Sequence, residues 1–353
     1  MCVIAGYAGD RPAVPILLEM LRRQECYDGD MTTGVATIHE GRLYYRRCVG
    51  NVDAVIRDTN ILSLPGTIGI AHSRPGAGRN GVSVHPYISS DKATALVLNG
   101  TGMGVLPRKA LHDAVLRELE ELGYAFSTAH KSEHGWHKLS DGRSVMETEM
   151  RVFLIEEYMK RGKTPSEALA LTSTRLYSDN ATVILTEKAP DSIFALRTTR
   201  PLVFAADRGE TYLATSRYGL PDALQEKADY LPLFHSCALR REGVTVTGDR
   251  VDEEPVAEPT PYTYAEGCRR IEAMLRSDEA PLYFDELELE IGRSMRDLFP
   301  GDHSCLQNAR LVYDLLRQFE REGRLQKELR VQQRKQEDGS IAPRRRWYFW
   351  LED

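Results

Sequence analysis

Cys2-Val3-Ile4-Ala5-Gly6-Tyr7 opens the chain directly after Met1. The apolar, β-branched run closed by glycine and tyrosine reads as a strand with a thiol at its head. Cysteine is small, so removal of Met1 by an aminopeptidase would leave a thiol and a free α-amine on one residue. An α-amine titrates near ~7.7 to 8.0 and can take the thiol proton, so a single residue can supply nucleophile and base. Position alone decides little, because a cysteine at position 2 is usually incidental.

Working outward, short apolar runs alternate with turn residues: Gly34 to Ile38, Gly69 to His72, Ala95 to Leu98, Ala181 to Leu185, Ile193 to Arg197, Leu202 to Ala206 and Tyr212 to Thr215. Helical periodicity marks Lys109 to Leu122, Glu147 to Arg161 and Ser166 to Tyr177. Strands in sequence, punctuated by Ala189-Pro190-Asp191 and Asp207-Arg208-Gly209-Glu210, predict antiparallel hairpins in an α+β sandwich of sheets and helices. The stretch Val251 to Pro261 is acidic and holds three prolines, so it reads as a linker. Beyond it, three amphipathic helices (Tyr264 to Ser277, Asp285 to Met295, Leu306 to Glu322) precede two strand-like runs, Leu325 to Val331 and Arg345 to Leu351, joined across Asp338-Gly339. Three helices and a hairpin predict a winged-helix-like unit. The expected division is 1–250, a linker at 251–263, and 264–353.

The 353 residues are 42% hydrophobic and 28% charged, long enough for two domains and incompatible with disorder as the main theme. No run reaches the ~18 apolar residues of a membrane span, and no basic region with an apolar stretch and cleavage site opens the chain, so a cytoplasmic protein with no membrane contact is expected. Six cysteines without a CxxC pair argue against a zinc ribbon or disulfide scaffold. The first 250 residues carry 30 basic and 30 acidic side chains, so the net charge of −6 lies entirely in the last hundred.

Five further segments follow the opening in a fixed order: Gly69-Ile70-Ala71-His72-Ser73-Arg74, His85-Pro86, Asn99-Gly100, Met146-Glu147-Thr148-Glu149-Met150, and the hairpins from Ser192 to Thr215. Together they resemble the class II glutamine amidotransferases, the N-terminal nucleophile family whose glutaminase domain begins glucosamine-6-phosphate synthase. The resemblance covers roughly residues 2 to 220. It implies a four-layer αββα sandwich in which Cys2 attacks the side-chain amide of L-glutamine, forming a thioester and releasing ammonia. It further implies that the Asn99 side chain and the Gly100 N–H stabilise the oxyanion, that Arg74 holds the substrate α-carboxylate, and that Glu147 binds its α-ammonium. His72 and His85 would fix loop geometry, and neither a cofactor nor a metal is implied.

The chain also departs from that pattern. Pro75 replaces an aromatic, and Gly76-Ala77-Gly78-Arg79-Asn80-Gly81 replaces the usual lid sequence, implying a more mobile lid. Tyr27-Asp28-Gly29-Asp30-Met31-Thr32-Thr33-Gly34 puts acids where a basic residue is usual, and Leu98 stands where many members have His. His130, His134 and His137 with Glu133 have spacing that could suit a metal on a helix face, but Gly135 intervenes and a polar loop is the simpler expectation.

A synthase would couple the ammonia to an acceptor on the same chain. Residues 251–353 are too short for a sugar-isomerase half and show no phosphate-binding loop, so the acceptor is expected on a separate protein partner. Docking to that partner, capping of the first domain, and nucleic-acid contact through Arg344-Arg345-Arg346 and the aromatics that follow are the three readings of the second unit. An N-terminal cysteine hydrolase acting on another amide, and a non-enzymatic ligand sensor joined to a winged-helix regulator, are the alternatives to a glutaminase.

Overall fold

The computed structural model describes residues 1–76, 84–100, 108–131, 137–251, 256, 258–295, 307–335 and 341–352. Residues 77–83, Glu133, His134 and the Asp338-Gly339 turn lie outside them, as does most of the acidic stretch of the linker.

The first domain runs β1 (Val3–Ala8), α1 (Ala13–Glu25), β2 (Thr32–His39), β3 (Arg42–Val49), α2 (Val52–Asp58), β4 (Ile68–Arg74), β5 (Tyr87–Ile88), β6 (Thr94–Gly100), α3 (Lys109–Glu121), β7 (His137–Lys138), β8 (Ser144–Val145), α4 (Glu147–Lys160), α5 (Pro165–Arg175) and β9 (Asn180–Thr186). It continues through β10 (Ile193–Arg197), β11 (Val203–Asp207), β12 (Glu210–Ala214), the short α6 (Asp222–Gln225), β13 (Asp229–Tyr230), β14 (His235–Arg240) and β15 (Gly243–Arg250). Two antiparallel sheets result, in the orders β13-β11-β12-β1-β4-β2-β3 and β15-β14-β10-β9-β6-β5.

Alternation along each strand sorts the side chains into three cores. Ile4, Ile70, Val97, Val183, Ile193 and Leu213 meet between the sheets. Val3, Ala5 and Tyr7 point the other way, onto Val14, Leu17, Leu18 and Leu21 of α1. The far face of the second sheet packs Leu96, Ile184 and Leu196 against Leu116, Leu119, Phe153, Leu154 and Leu169 of α3, α4 and α5. Helix, sheet, sheet and helix therefore stack in four layers. Burying one such apolar side chain contributes about 1.5 to 3 kcal/mol, so every layer contact is a substantial source of stability.

Two sites in this packing require glycine. A Cβ on Gly34 would sit 1.7 Å from the His85 carbonyl oxygen, so β2 can pass the His85-Pro86 segment only without a side chain. A Cβ on Gly100 would come within 2.5 Å of the Asp179 carbonyl oxygen.

The second unit comprises α7 (Pro261–Leu275), β16 (Leu282–Tyr283), α8 (Phe284–Ser294), α9 (Asn308–Arg321), β17 (Leu325–Lys335) and β18 (Ile341–Leu351). Thr260 caps α7 by accepting from the Thr263 N–H, with Pro261 at the first helical position. The apolar stripe of α9, Leu311, Val312, Leu315, Leu316 and Phe319, meets Ile271, Phe284, Leu287, Ile291 and Phe349 in a fourth core. Gly323, at φ +69, ends α9. β16, β18 and β17 form a three-stranded sheet.

That fourth core does not stop at the domain boundary. Tyr27 and Tyr218 of the first domain belong to it, with their rings stacked at 4.3 Å and Tyr27 at 5.7 Å from Phe349. The basic run on which the nucleic-acid reading of the second unit rested faces inward. Arg344 bonds Asp28 and the Gly29 carbonyl, Arg345 bonds Asp30 through both its backbone N–H and its guanidinium, and Arg346 bonds Asp285. Arg344 and Arg346 are buried, so neither presents charge to solvent.

Candidate functional site

Cys2 sits at the entry to β1, the strand paired on one side with β12 and on the other with β4. Thr215 anchors that entry by a reciprocal pair: the Ile4 N–H donates to Thr215 Oγ1 at 2.8 Å, and the Thr215 N–H donates to the Ile4 carbonyl at 3.1 Å. The Cys2 N–H crosses to the other sheet and donates to Asn99 Oδ1 at 3.1 Å. Asn99 and Gly100 are the last residues of β6, paired in register with Ala181 and Asn180 of β9. The Asn-Gly pair is thus the end of an inner strand and not a hairpin turn.

Asn99 is buried, and with its Oδ1 engaged by Cys2 its Nδ2 has no hydrogen-bond partner among the described residues. A buried amide N–H₂ left unpaired costs roughly 1 to 3 kcal/mol. Such a donor, tethered through its own oxygen to the Cys2 backbone, is suited to a charge that forms only during a reaction.

Burial pushes the Cys2 thiol up, and the guanidinium of Arg74 works against that rise. Arg74 ends β4, opposite Thr32 in the register of β2. His72, two residues earlier, donates from Nε2 to the Leu98 carbonyl at 3.0 Å and stacks on His85 at 3.9 Å. Burial and then the neighbouring Arg74 bring His72 down to about 3, and burial likewise holds His85 well below its ordinary value. Both shifts favour the neutral imidazole.

Glu147 opens α4 on the other side of β9. Its Oε1 accepts from Arg151 Nε and Nη2 at 2.8 and 2.6 Å and from Ser178 Oγ at 3.0 Å. Burial opposes its ionisation, but Arg151, His137 and His112 together outweigh that and bring it down to about 2. Ser178 also receives an Asn180 Nδ2 bond, and Asn180 is the cross-strand partner of Gly100. Glu147 is thereby tied to the Asn99-Gly100 strand end through two intervening side chains.

His130 and His137, the two described histidines of that spacing, do not lie on a helix. His130 bridges Ser144 in an extended segment, and His137 lies on β7. His137 instead approaches His112 of α3 and Glu147, with one ligand atom of each residue within 4.8 Å of the others. Local spacing could not reveal this trio, because its members come from three different elements. The Arg151 guanidinium on Glu147 already supplies the positive charge that a cation would bring.

The segment from Tyr27 to Asp30 is buried against the second unit. Asp30 holds φ +78 and is fixed there by its N–H bond to Ser73 Oγ at 3.1 Å and by Arg345. The acids that stand out in the sequence at Asp28 and Asp30 are the counter-charges of Arg344 and Arg345.

No protein-family model matches the chain. It is 34% identical over 260 residues to the glutamine–fructose-6-phosphate aminotransferase (isomerizing) of Zymomonas mobilis, covering 72% of this chain and 38% of that protein. The enzyme of the same name from Pyrococcus horikoshii is 30% identical over 217 residues, 61% of this chain and 32% of the relative. The chain thus spans less than two fifths of the length of the curated relatives it matches. Among solved structures, glutamine phosphoribosylpyrophosphate amidotransferase from B. subtilis superposes with a TM-score of 0.56 at 16% identity, over 89% of this chain and 64% of that one, a likeness of fold. Among the described residues no helix is long and apolar enough to cross a membrane. The layered fold, the order of its motifs and these relatives agree: the chain belongs to the class II glutamine amidotransferases, an enzyme family of N-terminal nucleophile fold, and its first domain is similar to the glutaminase domain of glucosamine-6-phosphate synthase.

Proposed function

We propose that this protein is a cytoplasmic glutamine amidotransferase subunit that releases ammonia from L-glutamine through a thioester on Cys2, for an acceptor carried by a separate protein. The observation that carries the reading is the unpaired Nδ2 of buried Asn99, whose Oδ1 holds the Cys2 N–H.

With Met1 removed, the Cys2 α-amine takes the thiol proton and the thiolate attacks the glutamine amide carbon. Charge developing on the amide oxygen is met by Asn99 Nδ2 and the Gly100 N–H. The proton held on the α-amine passes to the leaving nitrogen as the C–N bond breaks, and water then resolves the thioester to glutamate. Arg74 receives the α-carboxylate, for which a planar guanidinium fork is suited, and its positive charge also favours the thiolate. Glu147, ionised and anchored by Arg151, binds the α-ammonium with Oε2, the oxygen not held by Arg151. No metal or cofactor enters the scheme. The second unit, winged-helix-like in its order of helices and strands, acts as a cap on the first domain, and the burial of Arg344 and Arg346 weighs against the DNA-binding regulator.

The altered Tyr27 to Asp30 wall favours one variant of this reading, hydrolysis of an amide other than glutamine by the same nucleophile. A chain beginning at Cys2 is expected to release equimolar glutamate and ammonia from L-glutamine, and Cys2→Ala to release neither. Turnover by Cys2→Ala would end the proposal, and preference for another amide in a panel would replace its substrate.

A further inference from the structure

The Met1 α-amine is buried where the two domains meet. It forms an ion pair with Asp28 and lies 3.8 Å from Asp285 Oδ1, at the start of α8. Burial works against its charge, but these carboxylates carry it up to about 10. The Met1 side chain is 3% exposed and packs against the second unit's core. Its sulfur lies 2.8 Å from Arg200 Nη1, and Arg200 in turn joins Asp179 to Glu288 of α8. Met1 therefore occupies a fitted berth, with an acidic end for its amine and an apolar end for its side chain, and both domains supply the walls.

This berth abuts the nucleophile. Six covalent bonds separate the Met1 nitrogen from the Cys2 sulfur, so the two cannot be more than about 7.5 Å apart. The proposed chemistry requires Met1 to be absent, and its departure empties the berth and moves the chain's α-amine on to Cys2. Asp28 and Asp285 keep Arg344 and Arg346, and Glu288 keeps Arg200, but the ammonium that sat against Asp28 and near Asp285 has left its place. A buried carboxylate that loses an ion-pair partner favours a cation that fits the vacated space.

We propose that the berth vacated by Met1 binds a primary alkylammonium, through Asp28, Asp285 and Glu288, and presents that amine to the thioester on Cys2 as an acceptor. The inference rests on the reading of Cys2 as a free-amine nucleophile. In the step, the bound ammonium loses a proton to a berth carboxylate, and its nitrogen attacks the γ-glutamyl carbonyl carbon. The C–N bond forms and the C–S bond breaks. The nitrogen's second proton passes through the Cys2 α-amine to the departing Cys2 thiolate and the carboxylate gives its proton to solvent, so one glutamine and one alkylammonium yield one γ-glutamyl amide and one ammonium. Water and amine then compete for the same thioester. The second unit has a catalytic consequence, because α8 contributes two of the three carboxylates.

The test uses the full chain freed at Cys2 by cleavage of a fused leader, verified by intact mass, with n-butylammonium chloride as the probe. Calorimetry without glutamine is expected to show saturable binding to this chain and none to the chain that retains Met1. With glutamine, the ratio of γ-glutamyl butylamide to glutamate should saturate with amine at the same midpoint, and should fall at least tenfold in Asp285→Asn/Glu288→Gln. Absence of calorimetric binding would overturn the proposal whether or not the enzyme turns over. A ratio that rises linearly with amine and is unchanged in the double variant would overturn it too, as capture from bulk solvent. So would a double variant that raises the KM for glutamine and leaves the ratio alone, since the berth would then hold the substrate's own ammonium. Loss of all glutamate and amide formation, with butylammonium binding intact, would fail the glutaminase reading and leave the berth standing.

Discussion

Arg344, on the closing strand of the second unit, donates from Nη2 to Asp28 Oδ1 at 2.7 Å, and neither side chain has any exposure to solvent. The two residues are 316 positions apart in the chain, and Asp28 also pairs with the α-amine of Met1, the residue before Cys2. A buried pair of this kind adds little net stability over an apolar pair, but breaking it from one side leaves a bare charge, at a cost of roughly 3 to 5 kcal/mol.

Arg344→Met is accordingly expected to loosen the second unit from the first. Urea unfolding should lose a few kcal/mol, on the order of the 3 to 5 above, and limited proteolysis should cut the segment around residues 251–260 sooner. Adding Asp28→Asn should restore most of the loss, a non-additivity that marks direct coupling. An Arg344→Met chain as stable as the parent would contradict the buried pairing.

Asn99→Ala removes the unpaired donor and the acceptor that holds the Cys2 N–H. A fall in kcat of about 10² to 10³ is expected, with KM changing far less, because the donor acts on charge that exists only in the transition state. Asn99→Asp should be no better, since it keeps the acceptor and loses the donor. Steady-state glutamate release by the three proteins decides the matter, and a change confined to KM would reassign Asn99 to ground-state binding.

His72 and His85 predict an acid-side instability. Their folded-state values are depressed, His72 to about 3, so the folded protein binds fewer protons than the unfolded chain below an ordinary value near 6.5. The stability they contribute is complete above that value and is lost as pH falls from 6.5 toward 3, by up to about 1.4 kcal/mol per pH unit for each ring. Glu25 and Asp28 act in the opposite sense. Burial raises them to about 8 and about 6, so their contribution is present at low pH and is lost as pH rises through those values. Urea midpoints from pH 7 to 4.5 should therefore decline less steeply in His72→Gln than in the parent chain, and an unchanged slope would show that His72 is protonated in the folded state.

What the sequence made legible follows a physical division. The strand at Val3 to Tyr7 and the strand ending in Asn99-Gly100 are short apolar runs buried on both faces, and they stood out for that reason. The helix Ala13–Glu25 did not, since Pro12 and Pro15 at its start resemble a turn and two arginines interrupt its end. Strand Arg42–Val49 escaped notice as well: it is the edge of its sheet, with Arg42, Tyr44, Tyr45 and Arg47 open to solvent, and it reads as polar. The acids at Asp28 and Asp30 looked anomalous only because Arg344 and Arg345 answer them from the far end of the chain. The same remoteness hid the meeting of His112 and His137 with Glu147. Pattern within a window of ten or twenty residues reports local burial and cannot report partners that only the completed fold brings together.

Glu258 shows what that remoteness implies for the molecule as a unit. This linker residue takes Arg197 on one carboxylate oxygen and Arg310 on the other, the first a fully buried residue of β10 and the second on α9. The connector is therefore a structural member of both halves. A chain cut at residue 250 would strand the Arg197 charge in a low-dielectric site and uncover the stacked Tyr27 and Tyr218. The first 250 residues therefore share their packing and their ion pairs with the residues that follow them.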